Sequence, residues 1–258
     1  MKIAVGGKGG VGKTLIAGTL SRFFSRDEYR VLAVDADPAM NLAYALGIPA
    51  DVASRIVPIT ENEELVRERA GEGPIFTLNP TVNDIADKYG VVGPDDVRLL
   101  VMGTIRSGGS GCMCPANSLV RALIRHLTLE RDEVVIMDME AGLEHLGRAT
   151  VRGFDVMLCV VEPGAQSLET ARKIVGLASD IRVKEVLAVG NKIITDEDRS
   201  FIEASLKEIG LEIVGVIPFD QKILRADARR MAPIDFSPTS SAIKAIKELE
   251  ETFKLRYH

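Results

Sequence analysis

Residues 7–14 read Gly-Lys-Gly-Gly-Val-Gly-Lys-Thr and fit the phosphate-binding pattern G-x-x-x-x-G-K-[ST] without a mismatch. The octet follows the apolar run Ile3-Ala4-Val5 and opens a stretch with helical spacing. That strand–loop–helix setting is what gives the pattern its meaning. Gly7, Gly9, Gly10 and Gly12, with Val11 between them, let backbone N–H groups turn toward phosphate oxygens, and the following helix adds the partial positive charge of its N-terminus. Lys13 is spaced to reach the β- and γ-phosphates of ATP or ADP, and the Thr14 hydroxyl to ligate Mg²⁺. Lys8 is a second lysine, one that cradling a phosphate does not require.

Short runs rich in valine and isoleucine alternate with helical patterns along the 258 residues. Strands are expected at 2–5, 31–34, 75–78, 98–102, 133–137, 156–161, 186–189 and 213–217. Most are apolar on both faces, as when helices cover both sides of a parallel sheet. Helices are expected at 13–25, 115–127, 166–179, 196–209 and 240–254. This alternation predicts an α/β fold, a doubly wound and mostly parallel sheet flanked by helices, as a single P-loop domain over residues 1–258. With no tryptophan and 5 % aromatic residues, the core must be aliphatic. The segment 56–93 fits the alternation least well.

A net charge of −5 argues against binding nucleic acid or an anionic membrane. No apolar run is long enough to span a bilayer. The first strand begins at Lys2, which leaves no room for a targeting segment, so a cytoplasmic protein is expected. The last helix places Ile243, Ile246, Leu249 and Phe253 on one face for docking on the sheet. Glu248, Glu250 and Glu251 on that helix oppose membrane anchoring.

Carboxylates at strand ends come next. Val134-Val135-Ile136-Met137-Asp138 is an apolar strand ending in Asp, the Walker B shape, so Asp138 is expected to hold Mg²⁺ through water. Asp35-Ala36-Asp37-Pro38-Ala39-Met40-Asn41 follows the second strand, beside the phosphate loop in a fold of this kind. Asp35 is expected to support the loop that this string forms, or the Mg²⁺ shell.

Gly111-Cys112-Met113-Cys114-Pro115 opens a helix whose dipole favours thiolate. The two thiols are too close for an unstrained disulfide. One chain offers two thiolate ligands where such a site commonly wants four. A twofold dimer would bring Cys112 and Cys114 of both subunits together on its axis. A shared Cys₄ site for Ni²⁺ or Zn²⁺ is therefore expected, and the ligands alone do not choose between those metals. Cys159 sits inside an apolar strand and reads as core.

The K-G-G-x-G-K-T loop resembles the deviant Walker A motif of the MinD, ArsA and nitrogenase iron-protein superfamily of ATPases. That resemblance implies a homodimer in which Lys8 reaches the phosphates of the opposite subunit, acting like an arginine finger beside Lys13. Asp37-Pro38-Ala39-Met40-Asn41 resembles switch I, which implies that Asp37 orients the attacking water. Asp138-Met139-Glu140-Ala141-Gly142 resembles switch II, with the role of Glu140 open. Asn191, followed by Lys192, resembles the base-reading position, and Pro218-Phe219-Asp220 the segment that packs on the base. With the cysteine pair included, the whole chain resembles the CooC family of nickel-insertion ATPases, which implies carbon monoxide dehydrogenase as the client. The chain has only three histidines and no His-rich tract. Two rivals share the fold: an iron–sulfur carrier or electron-transfer ATPase, and a MinD/ParA-like positioning ATPase. The C-x-C spacing counts against the first, and the charge of the chain and of its last helix against the second.

Overall fold

A computed structural model of the chain describes residues 1–72, 76–103, 115–126, 132–139, 153–181 and 183–257. Its strands are β1 (Lys2–Gly7), β2 (Arg30–Ala36), β3 (Val91–Val92), β4 (Arg98–Val101), β5 (Glu133–Met139), β6 (Val156–Val161), β7 (Glu185–Ile193) and β8 (Glu212–Pro218). They form one eight-stranded sheet in the order β3-β4-β2-β5-β1-β6-β7-β8. Every neighbouring pair is parallel except the edge pair β3 and β4. The α/β, mostly parallel architecture read from the alternation is the one observed.

The helices are α1 (Lys13–Arg26), α2 (Leu42–Leu46), α3 (Ala50–Ala53), α4 (Glu63–Ala70), α5 (Ile85–Tyr89), α6 (Pro115–His126), α7 (Ala165–Ile181), α8 (Asp196–Ile209), α9 (Gln221–Ala228), α10 (Pro233–Phe236) and α11 (Ser241–Tyr257). Local chemistry explains the sharp ends of α8. Thr195 and Asp198 form a reciprocal capping box at its start, and Gly210 turns left-handed at its end with φ 81°.

Period-two alternation divides the core between the two faces of the sheet. Ile3 and Val5 pack with Ile16, Leu20 and Phe24 of α1 and with Ile246, Leu249 and Phe253 of α11. Ala4, between them, joins the opposite cluster with Leu119 and Leu123 of α6 and Ala171 and Ile174 of α7. All six residues of β6 are buried, Cys159 among them. The apolar face of α11 is spent on the core, as its spacing predicts. Glu250 of that helix is not on a solvated face: it is fully buried and held by Lys247 and Lys254.

The expected strand at 75–78 is not one. Ile75 lies outside the described residues, and residues 76–78 have no strand geometry. Their backbone groups bond elsewhere: Thr77 N–H donates to Ala70 O at 2.7 Å, and Ser118 Oγ donates to Thr77 O at 2.6 Å. Leu78 is exposed. The edge of the sheet is taken instead by Val91–Val92, running antiparallel. Among the described residues of the segment 56–93, Ile59, Leu65, Val82 and Ile85 join the same core cluster as α6, while Ile56 and Val91 pack against the opposite one. No helix of the described residues is long and apolar enough to cross a membrane.

Candidate functional site: a phosphate loop ringed by strand-end carboxylates

The strand order gathers the site. β1 lies between β5 and β6, and β2 lies beside β5. The carboxyl ends of these strands therefore bring Gly7, Asp138, Asp35 and Glu162 around one crevice, where ligands of open α/β sheets bind. Register makes this concrete: Val5 pairs with Asp138, Asp35 with Asp138, and Gly7 with Val160.

The phosphate loop runs from β1 into α1. Gly12 caps α1 with φ 102°, a left-handed backbone that favours glycine. A Cβ on Gly12 would collide with the Asn191 amide. Asn191, at the end of β7, is buried and donates from Nδ2 to Val11 O at 2.7 Å. It braces the loop and keeps a second amide hydrogen and its oxygen for other partners. Lys13 is buried and donates to Lys8 O at 3.3 Å, folding its ammonium over the loop.

Thr14 Oγ1 donates to Asp138 Oδ2 at 2.6 Å. The other oxygen, Asp138 Oδ1, is buried without a hydrogen-bond partner. Burial, opposed by the Thr14 hydroxyl and assisted by the Asp35 charge, pushes the Asp138 carboxyl up to about 7. A buried, unpartnered carboxylate oxygen next to a hydroxyl suits a hard divalent cation or a water of its shell, so the residues fit Mg²⁺.

Asp35 is also fully buried. Its Oδ1 accepts from Asp37 N–H at 3.1 Å and its Oδ2 from Leu42 N–H at 3.0 Å. Burial pushes Asp35 up to about 6 against these two bonds. Both of its oxygens hold the backbone of the 35–42 loop. Asp37 is partly exposed, and its Oδ1 accepts from Ala39 N–H at 2.9 Å.

Beside the loop lies a cleft of about 880 Å³. Gly9, Gly10, Gly12, Lys13, Thr14 and Asp37 line its phosphate end, and Tyr44, Leu224, Arg230 and Met231 wall the remainder. The positions expected to meet the base sit around this cleft rather than in its lining. Asn191 lies under the loop. Phe219 is exposed, and its N–H donates to Ile193 O at 2.9 Å. Asp220 caps α9 by accepting from Lys222 N–H at 2.9 Å, with Pro218 ending β8 just before it. Lys192 donates to Gly10 O at 2.7 Å and to Glu162 at 2.9 Å. Glu162 also faces Lys8, at 3.4 Å. Sequence reasoning passed over Glu162 because a Glu-Pro pair after a strand carries no motif. Its place directly after an apolar strand was the available signal.

Cys112 and Cys114 lie outside the described residues, as do Glu140, Ala141 and Gly142 of the switch II stretch. Among the described residues no three His, Cys, Asp or Glu side chains converge as a metal site.

A loop of this form on a doubly wound sheet, with a strand-end aspartate bonded to its threonine, defines a P-loop ATPase. The sequence profile of the CobQ/CobB/MinD/ParA nucleotide binding domain matches residues 2–234. The chain is 45 % identical over 242 residues to the carbon monoxide dehydrogenase accessory protein CooC of Rhodospirillum rubrum, covering 92 % of this chain and 91 % of that protein. It is 44 % identical to an ATP-binding protein of Methanocaldococcus jannaschii, covering 98 % and 96 %. The cell division ATPase MinD of Pyrococcus furiosus shares the fold with a TM-score of 0.72 at 22 % identity, covering 99 % and 98 %. The chain belongs to the CobQ/CobB/MinD/ParA nucleotide-binding family and, within it, to the CooC-type ATPases.

Proposed function

We propose that this ATPase works as a cytoplasmic, nucleotide-dependent homodimer of one domain per chain, which carries Ni²⁺, or Zn²⁺ in its place, on Cys112 and Cys114 and supports nickel insertion into carbon monoxide dehydrogenase. The observation that carries this reading is the 45 % identity to CooC along nearly the whole chain. The second lysine of the loop and the C-x-C pair supply the chemistry.

ATP sits with its phosphates in the loop from Gly7 to Thr14. Backbone N–H groups of Gly9, Gly10, Val11 and Gly12 bind phosphate oxygens, and Lys13 leaves Lys8 O for the β- and γ-phosphates. Thr14 and Asp138 would hold Mg²⁺, which would supply charge neutralisation at the phosphates. Asp35 keeps the 35–42 loop in place, so that Asp37 orients a water in line with the γ-phosphorus. The new P–O bond forms as the bond to the bridging oxygen breaks, leaving ADP and phosphate. Asn191 reads the base edge from beneath, and Pro218, Phe219 and Asp220 pack beside the base. Lys192 serves the nucleotide indirectly, through Gly10.

Lys8 completes the opposite subunit's site. A cation delivered in trans to a phosphoryl transfer contributes about 10³–10⁵ in rate, which makes turnover conditional on dimer formation. Closure of the dimer reshapes the four thiolates on the axis. Metal and nucleotide then alter each other's affinity reciprocally.

Turnover per chain, measured against protein concentration, tests this reading. Wild type rises with concentration to a plateau as dimers form, and Lys8→Ala stays low throughout. Equal turnover per chain at all concentrations in both proteins contradicts it.

A further inference from the structure

Glu162 directly follows β6, whose Val160 pairs with Gly7 of the phosphate loop. Its backbone N–H donates to the buried Ser167 Oγ at 3.0 Å, which fixes the residue against the start of α7. Its two carboxylate oxygens face two different lysines. Oε1 is 3.4 Å from Lys8 Nζ, and Oε2 is 2.9 Å from Lys192 Nζ. Lys192 in turn donates to Gly10 O at 2.7 Å. Lys192 is a non-glycine residue at φ 59°, in the register shift between β7 and β8. A backbone in this region is disfavoured unless its surroundings impose it. Here it carries the side chain to Gly10 and Glu162.

The two ion pairs differ. Both lysines are more than a third exposed, but the Lys192 contact is short and its ammonium is also held by a backbone carbonyl, whereas the Lys8 contact is long. Glu162 is thus anchored on one side and holds Lys8 loosely on the other. We propose that Glu162 is a positioning residue for Lys8: anchored by Lys192, it keeps the Lys8 ammonium on its own subunit until the phosphates of a partner's nucleotide compete for it. The inference rests on the trans role of Lys8 given under Proposed function.

Phosphates carrying several negative charges outcompete one carboxylate that already serves another lysine. Each subunit therefore gives up one Lys8–Glu162 contact on closure. Such half-exposed pairs are weak, so removing both from a dimer tightens association by about three- to tenfold. The effect shrinks as salt screens the pair.

Sedimentation of wild type, Glu162→Gln and Lys8→Ala in Mg²⁺–ATP, at low and high salt, tests this, with ADP affinity of each chain measured alongside. Glu162→Gln is expected to dimerise about three- to tenfold more tightly at low salt, with less difference at high salt. The ADP affinity separates this effect on association from any change that the substitution passes to the phosphate loop through Lys192 and Gly10. An unchanged or weaker Glu162→Gln dimer, with Lys8→Ala failing to dimerise, overturns the role of Glu162 and leaves the trans lysine standing. A Lys8→Ala chain that dimerises as wild type overturns the trans lysine itself.

Discussion

Thr14 Oγ1 donates a hydrogen bond to Asp138 Oδ2 at 2.6 Å, joining the first turn of α1 to the end of β5. Asp138 Oδ1, on the other side of the same carboxyl, has no donor. Burial pushes Asp138 up to about 7, and Asp35, one strand away, up to about 6. Both lie above the ordinary Asp value, so between pH 4 and 7 these two groups bind more protons in the folded nucleotide-free chain than in the unfolded one. The stability these protonated groups contribute is present at low pH and is lost as pH rises through 6 and 7. Mg²⁺ at Asp138 requires the ionised form, so Mg²⁺–ADP binding at pH 6 releases a proton, and release fades above about pH 8. Calorimetry in buffers of different ionisation enthalpy is expected to show this in wild type and not in Asp138→Asn. A binding enthalpy indifferent to the buffer at pH 6 counters the assignment.

Asn191 gives a second prediction. Its amide donates to Val11 O across 180 residues of chain, from a buried position. Asn191→Ala removes one buried hydrogen bond, which weakens ATP binding by about five- to tenfold. Asn191→Asp sets a carboxylate against the Val11 carbonyl and is expected to lose more. Titration with a fluorescent ATP analogue checks the order. Equal affinity in wild type and Asn191→Asp separates Asn191 from the loop.

Arg22 on α1 gives a third. Its side chain is 4 % exposed, bonds Asp95, donates to Asp235 through Nη1 at 2.9 Å and Nη2 at 2.9 Å, and holds Leu46 O at 2.9 Å. Removing one partner of a buried ionic network costs about 3–5 kcal/mol, here reduced toward about 2–3 kcal/mol because Asp95 and Asp235 are partly solvated. Arg22→Met is expected to lower the thermal midpoint by about 5–10 °C. A shift within 1–2 °C, read by calorimetry, shows the network to be of little consequence.

The cysteines give a fourth. Burial pushes the Cys159 thiol up to about 12, so it stays protonated and unreactive in the native chain. Ellman's reagent is expected to react with two thiols per native chain, and with none in Cys112→Ser/Cys114→Ser until denaturant is added. Rapid labelling of the double variant without denaturant contradicts the burial of Cys159.

The nucleotide half of the site is legible in the sequence because its chemistry is local. The octet 7–14 fixes a loop between a strand and a helix, and Asp35 and Asp138 each end an apolar run. The run at 75–78 misleads because a short run rich in β-forming residues does not specify a partner for its backbone, and Thr77 bonds to Ala70 instead. Lys192 and Glu162 escape for another reason. Their meeting depends on the left-handed turn at Lys192 and on β6 lying beside β1, and neither a register shift nor a strand order is written in residue spacing. Arg22 and Glu250 sit on helices as charged residues do on any solvated face. Only the packing of α10 over α1, and of α11 beside Asp27, encloses them.

Metal stoichiometry tests the proposed function most directly. Ni²⁺ and Zn²⁺ are titrated into reduced wild type and into Cys112→Ser/Cys114→Ser, with and without ATP, while native mass spectrometry counts metals and chains together. The expected result is one metal per two chains, absent in the double variant and with an affinity that changes when ATP is present. Metal bound equally well without the two cysteines, or no tightly bound metal in any nucleotide state, contradicts a metal-carrying ATPase.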